Sequence, residues 1–155
     1  MRNEDWGDKL LPDSPLTILY ESKFSVKINE NLLHLLCRNV YLEESIDENR
    51  LVDLIFCTEE TIQKLNLDFR QKDKITDVLS FSFDDDDYLG EIYICVKRAD
   101  EQRVDYGLTL DEEISRLFVH GLFHLYGFDH ETEDERLKME EKEKKFVDFD
   151  DKIKE

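Results

Sequence analysis

Hydrophobic positions along the chain recur with two periods, one typical of strands and one typical of helices. Short runs of β-type composition predict strands at 16–20, 51–57, 78–83 and 89–96. Apolar residues spaced three or four apart predict amphipathic helices over 26–42 and 59–69, the second with Thr58 as its capping residue. The interval at 84–87 holds four aspartates and is short, which predicts an antiparallel hairpin with an acidic turn. A calcium loop is not indicated, because its spacing and its glycine are absent.

The second half of the chain is predicted to be helical. A helical turn is expected at 97–104, and Thr109 with Glu112 forms a capping-box pattern before a long apolar stripe. Residues 131–154 predict a charged, solvated helix. We therefore expect an α+β fold, with a small mixed sheet of about four strands packed with helices and a histidine-bearing central helix. One domain is expected over 1–155, with a loose N-terminus at 1–15 and a frayed tail at 148–155.

Composition and charge narrow the classes of function. The chain has 155 residues, is 40% hydrophobic and carries a net charge of −18, which argues against a general nucleic-acid binder but leaves room for a local basic site. Cys37, Cys57 and Cys95 are odd in number and far apart, so they predict reduced, buried thiols. With no signal-peptide pattern and no apolar run of membrane length, we expect a cytoplasmic protein without a membrane partner.

Three of the four histidines lie within one stretch, His120 to His130. His120 and His124 are four residues apart and therefore share one helix face. Gly127 can end that helix in a left-handed conformation and bring His130 towards the same point. Three neutral imidazoles suit one zinc ion, with nickel, copper or another divalent metal also compatible with these ligands. An open fourth position would suit catalysis.

The histidine cluster is also compatible with a shared polar helix face, a structural zinc site or a metalloprotease site. The remaining histidine, His34, is interpreted as an ordinary helical residue. Structural zinc sites favour four ligands and cysteine, and no cysteine lies nearby in sequence. The spacing also matches metzincin proteases, but their general base follows the first histidine, where this chain has Gly121. A glycine cannot accept a proton, so the protease mechanism lacks its base.

The histidine stretch closely resembles the signature of the YbeY family of bacterial rRNA-maturation endoribonucleases. The resemblance spans roughly residues 50–131 and includes further blocks in the family's order, at Leu65-Asn66, Phe69-Arg70, Lys72 to Lys74, Thr76 to Phe81 and Leu89 to Ile92. It implies one zinc ion on His120, His124 and His130, and it implies that Arg70 is the functional arginine of the cleft. A guanidinium suits that role, because it donates paired hydrogen bonds to phosphate oxygens.

Several further residues keep more than one interpretation. Asp129 is a candidate partner for a ligand imidazole or a turn residue. Thr76 and Asp77 are expected to start the following strand by turn hydrogen bonding. No general base is identifiable, although Glu113 shares the histidine side of the helix. This chain departs from the family pattern at three positions, where the family has glycine, proline and proline in turn: Gln71, Ile75 and Ser82. These departures leave the path of the Arg70 loop open.

The resemblance implies a zinc-dependent, single-strand-specific endoribonuclease in the maturation of ribosomal RNA, at the 3′ end of the small-subunit rRNA, and in ribosome quality control. The implied partners are ribosomal RNA and the small ribosomal subunit, with ribosomal or assembly proteins, and not DNA. Cations that would face RNA are Arg70, Lys72, Lys74, Lys97 and Arg98. Two alternatives stay open: a non-catalytic, zinc-containing ribosome-assembly factor, and another zinc hydrolase acting on peptide, ester or amide bonds.

Overall fold

The computed structural model describes residues 14–127 and 132–148. Its strands are β1 (Leu16–Tyr20), β2 (Leu51–Cys57), β3 (Val78–Asp85) and β4 (Tyr88–Cys95). Its helices are α1 (Glu30–Glu43), α2 (Glu59–Arg70), α3 (Val96–Tyr106), α4 (Leu110–Leu125) and α5 (Glu133–Lys144). The predicted α+β fold with a mixed sheet is confirmed.

The four strands form one sheet in the order β1-β2-β4-β3. β1 pairs with β2 and β2 with β4 in parallel, whereas β3 pairs with β4 in antiparallel fashion, with Leu79 opposite Tyr93. The predicted hairpin between β3 and β4 is therefore confirmed. Because β3 ends the order, its outer edge carries no strand among the described residues.

Helices cover the two faces of the sheet unequally. α1 and α4 pack on one face, where Phe118 and Leu122 are fully buried together with Ile92 and Ile94 of β4. On the opposite face, α2 contributes Ile62 to a smaller cluster. Alternation along each strand separates the two sets of side chains. The larger core therefore lies under the helix that carries the paired histidines.

Gly121 lets α4 lie directly against the sheet. A Cβ at this position would stand 2.9 Å from Cγ2 of Ile92 and 3.0 Å from Oγ of Ser80. The Ser80 hydroxyl donates to the Gly121 carbonyl at 3.3 Å. A glutamate, which a metzincin protease needs here, has no room. Packing therefore gives a second reason why the protease mechanism does not apply.

The cysteines are buried and free of disulfide bonds, as the sequence predicts. Burial raises the pKa of the Cys37 thiol and of the Cys57 thiol to about 12 in each case. Cys57 lies opposite Cys95 in the register of β2 and β4. The thiols are therefore neutral near pH 7 and serve as small core side chains.

Several predicted boundaries differ from the structure. α1 begins at Glu30 rather than at residue 26, since Asn29 caps it by accepting from the Leu32 N–H. The helical turn predicted at 97–104 is part of a full helix, α3. α5 is shorter than the predicted 131–154, and Thr132 begins it with a capping box.

The N-terminus expected to be loose (1–15) lies almost wholly outside the described residues, as does the tail from residue 149. Within the described segments, no helix is long and apolar enough to cross a lipid bilayer.

Candidate metal centre and phosphate cleft

His120 and His124 point towards a common position. The predicted capping box of Thr109 and Glu112 is present and begins α4, which places the two imidazoles one turn apart near the end of the helix. Their Nε2 atoms are 3.1 Å apart, and their ring planes cross at 77°. Two nitrogens bound at about 2.0–2.1 Å to one tetrahedral zinc ion stand about 3.3 Å apart. The spacing of the pair therefore fits two ligands of one metal ion.

Glu143 of α5 orients the first imidazole. Its Oε2 lies 2.6 Å from Nδ1 of His120, and the two side chains are 16% and 31% exposed respectively. With Nδ1 bonded to the carboxylate, Nε2 of His120 is the atom that faces His124. A carboxylate behind a ligand imidazole is a common arrangement in metal sites. Glu143 is thus a residue of the candidate site that the sequence analysis missed.

His130, the third proposed ligand, lies outside the described residues, as does Asp129. No third histidine, cysteine or carboxylate joins His120 and His124 in a metal-holding group within 14–127 and 132–148. Gly127 has φ of +102°, which confirms the predicted left-handed conformation after the helix. The assignment of His130 as a ligand stays a prediction.

The histidine pair opens into a cleft of about 720 Å³ that also contains Arg70. The cleft lies along the outer edge of β3, with the end of α4 on one side and the end of α2 on the other. Arg70 is exposed, and its Nη2 donates to the Ser80 carbonyl at 3.3 Å. The predicted arginine and two of the predicted ligands therefore line one cleft, although fifty residues separate Arg70 from His120 in the sequence.

Contacts with α2 position the loop after Arg70, which has Gln71 where the resemblance implies glycine. Gln71 adopts φ of +57°, the left-handed conformation that glycine favours. The buried Asn66 donates from its side-chain amide to the Lys74 carbonyl at 3.0 Å. Gln63 donates to the Asp73 carboxylate at 2.9 Å. Two side chains of α2 thus hold the loop against the helix.

The cleft is locally basic in an acidic chain. Arg70, Lys72 and Lys74 line it, and Asp77 is the one carboxylate among the described lining residues. Lys97 was predicted to face RNA, but it pairs with Glu59 at 3.3 Å in a different cavity. Arg98 is likewise absent from the described lining. The positive charge therefore comes from the end of α2 and its loop.

Asp77 starts β3 as predicted, because its Oδ1 accepts from the Val78 N–H at 2.7 Å. Its Oδ2 accepts from Nε2 of Gln102 at 2.9 Å, and the same amide donates to Glu113 at 2.5 Å. This bridge connects the cleft to α3 and α4. Because both of its oxygens are occupied, Asp77 is held as part of the cleft wall.

Glu113 is not placed to act as a general base. Its side chain is 0% exposed and bonded at 2.8 Å by both Nε and Nη2 of Arg116. It does not line the cleft. The helical projection placed Glu113 on the histidine side, but its carboxylate is buried in an ion pair with Arg116.

Comparisons with known proteins identify the family of this chain. The model of the family described as Endoribonuclease YbeY matches residues 18–149. A protein named Endoribonuclease YbeY from Thermotoga maritima is 39% identical over 85% of this chain and 86% of its own length. One of the same name from Finegoldia magna is 48% identical over 66% of this chain and 71% of its own length.

A solution structure of a Thermotoga maritima protein is similar in fold as well. It matches with a TM-score of 0.59 and 33% identity, over 85% of this chain and 86% of that one. The region matched by the family model includes β1 to α5 apart from the first residues of β1, and with them Arg70, the histidine pair and Glu143. The chain belongs to the YbeY endoribonuclease family.

Proposed function

We propose that this protein is a zinc-dependent endoribonuclease that cleaves single-stranded ribosomal RNA. The observation that carries the proposal is the cleft at the outer edge of β3, which two convergent imidazoles and a guanidinium line together. The named activity of the relatives supports the same reaction. The proposal extends to maturation of the small-subunit rRNA at its 3′ end and to ribosome quality control in the cytoplasm, with ribosomal or assembly proteins as partners.

His120 and His124, with His130, would hold the zinc ion. A zinc ion at that position supplies Lewis acidity and a means of ionising water near neutral pH. Zinc fits this donor set best, although imidazoles also accept nickel. Glu143 holds the imidazole of His120 in the tautomer whose Nε2 faces the metal position.

Arg70 binds and orients the phosphodiester. Its guanidinium can donate parallel hydrogen bonds to two phosphate oxygens at once. Lys72 and Lys74 add positive charge along the same cleft. Because the whole chain carries −18, we expect affinity for free RNA to be weak and to fall steeply as salt increases.

The test is RNA cleavage by purified protein of known metal content. We expect wild type to cut single-stranded RNA and both His124→Ala and Arg70→Ala to lose at least about tenfold in kcat/KM, since each removes a group that acts on the phosphate. His34→Ala is the matched control, because His34 lies on α1 outside the cleft. Circular dichroism establishes that the variants are folded.

Two results would change the conclusion. Equal cleavage by wild type and His124→Ala would identify a contaminating nuclease. Stoichiometric zinc that is lost in His124→Ala, without RNA cleavage by wild type, would favour the non-catalytic assembly factor. In that second case, hydrolysis of a peptide or ester library by the zinc-loaded protein would favour the other class of hydrolase instead.

A further inference from the structure

An exposed aromatic ring stands beside the arginine of the cleft. Phe69 directly precedes Arg70 at the end of α2, and it is 64% exposed. It continues the apolar face of the helix, seven residues after Ile62 and four after Leu65. Ile62 is fully buried and Leu65 half-buried. The apolar face of α2 therefore extends beyond the core and presents its last ring to solvent.

Contacts with the sheet fix the position of this ring. Phe69 packs against Phe81 of β3 with ring centroids 5.3 Å apart and planes at 61°, and Phe81 packs against Tyr93 at 5.9 Å and 76°. These edge-to-face contacts support Phe69 from one side. Phe81 belongs to the cluster on the α2 face of the sheet, whereas its neighbours Ser80 and Ser82 point to the opposite face and line the cleft. Phe69 is not among the described lining residues, but Arg70, which follows it, is. The ring is therefore anchored next to Arg70, on the α2 side of β3.

An anchored aromatic face beside a guanidinium matches the chemistry of a nucleotide. Bases stack on aromatic side chains while cationic groups track the phosphate backbone. Consecutive Cα atoms are about 3.8 Å apart, so Phe69 and Arg70 can contact the base and the phosphate of neighbouring positions on one strand. A base within a duplex is already stacked and paired, whereas an unpaired base can turn onto the ring.

We propose that Phe69 is a stacking platform for one unpaired base next to the phosphate that Arg70 binds. The proposal rests on the function proposed above and deepens it, because it assigns the preference for single strands to a particular side chain. Phe69 contacts the substrate away from the reacting bond, so it contributes to substrate binding and not to the chemical step.

The experiment compares Phe69→Leu and Phe69→Tyr with wild type on a short fluorogenic single-stranded RNA. Loss of one base–ring stack weakens substrate binding without affecting the reacting bond, so we expect Phe69→Leu to raise KM about tenfold with kcat within about twofold. Phe69→Tyr retains the ring face and should restore the wild-type KM. Phe83→Leu is the matched control, because Phe83 is an exposed ring of β3 (44%) that packs on Tyr88 instead.

An RNA series with one abasic nucleotide at each position in turn separates stacking from packing. We expect one position at which loss of the base raises the wild-type KM and Phe69→Leu has no additional effect. Two results would overturn the proposed stacking role of Phe69. One is a KM of Phe69→Leu equal to that of wild type. The other is a KM of Phe69→Leu that exceeds the wild-type KM by the same factor on every abasic RNA. The first result would favour a role for the Phe69 ring in contact with a protein partner. The second would favour a role in the packing of α2.

Failure of the proposed function gives a different pattern. If wild type does not cleave the RNA, the endoribonuclease proposal fails, and fluorescence anisotropy on the same uncut strands then tests the platform directly. Tighter binding by wild type than by Phe69→Leu, confined to strands that keep the critical base, would still support stacking. Equal binding by the two proteins would reject it.

Discussion

Removing the carboxylate of Glu143 tests whether α5 contributes to the metal site. Glu143→Ala deletes the group that bonds Nδ1 of His120 at 2.6 Å, and Glu143→Gln keeps an acceptor but removes the charge. Both side chains are largely shielded from water, at 16% and 31% exposed. Solvent therefore screens this contact less than it screens an ordinary surface pair.

The expected loss of zinc affinity in the Glu143 variants follows from that geometry. Loss of a carboxylate behind a ligand imidazole lowers metal affinity about 10–100-fold, which corresponds to about 1.4–2.7 kcal/mol. A charge-assisted hydrogen bond is about twice as strong as a neutral one, so Glu143→Gln should lose about half of that free energy, or about 3–10-fold in affinity.

The assay is competition for zinc against a chromophoric chelator, with the full-length chain. Glu140→Ala is the matched control, because Glu140 lies on the same helix and pairs with Arg136 instead. We expect this control to bind zinc within about twofold of wild type. Wild-type zinc affinity in a folded Glu143→Ala protein would refute the proposed role of Glu143.

Four further predictions concern stability and thiol chemistry. Gly121→Ala should destabilise the fold by about 1–3 kcal/mol in urea unfolding, since its Cβ would stand 2.9 Å from Ile92; an unchanged midpoint would contradict this packing. Gln71 adopts a left-handed φ of +57°, so Gln71→Gly should stabilise the fold by about 0.5–1 kcal/mol. Thermal unfolding measures this difference, with Gln71→Ala as a near-neutral control. Cys37 and Cys57, with folded pKa values of about 12, ionise more readily when unfolded, so stability should fall as pH rises from about 9 to about 12. Labelling of these thiols at pH 8 should proceed only as fast as unfolding, and rapid labelling of native protein would show that they are accessible.

Local patterns predicted most of the elements correctly. The capping box at Thr109 and the apolar stripe behind it define α4, because the groups involved are within a few residues of one another. The same holds for the hairpin of β3 and β4. Boundaries at the ends of α1 and α3 were less accurate, since tertiary contacts and capping rather than periodicity decide where those helices begin and end.

The site was only partly predictable. Its histidine pair follows from a spacing of four on a helix, whereas Arg70 was assigned to the same cleft through family resemblance alone. Glu143 reaches His120 through the docking of α5 on α4, and a highly charged helix offers no pattern that distinguishes this carboxylate from its neighbours. Glu113 was considered as a candidate base and is not one. A helical projection shows the direction in which its side chain leaves the helix, but it cannot show that the carboxylate is paired with Arg116.

The outer edge of β3 has a consequence for how copies of this chain meet. An exposed strand edge presents unpaired amide and carbonyl groups to which a strand from another molecule can add, and this is a route to aggregation. Here the Arg70 guanidinium already occupies the Ser80 carbonyl, and Lys72 and Lys74 place like charges along the same edge. An incoming strand would have to displace Arg70 and approach these cations. The side chains proposed to bind a phosphate backbone therefore also protect this edge from strand addition.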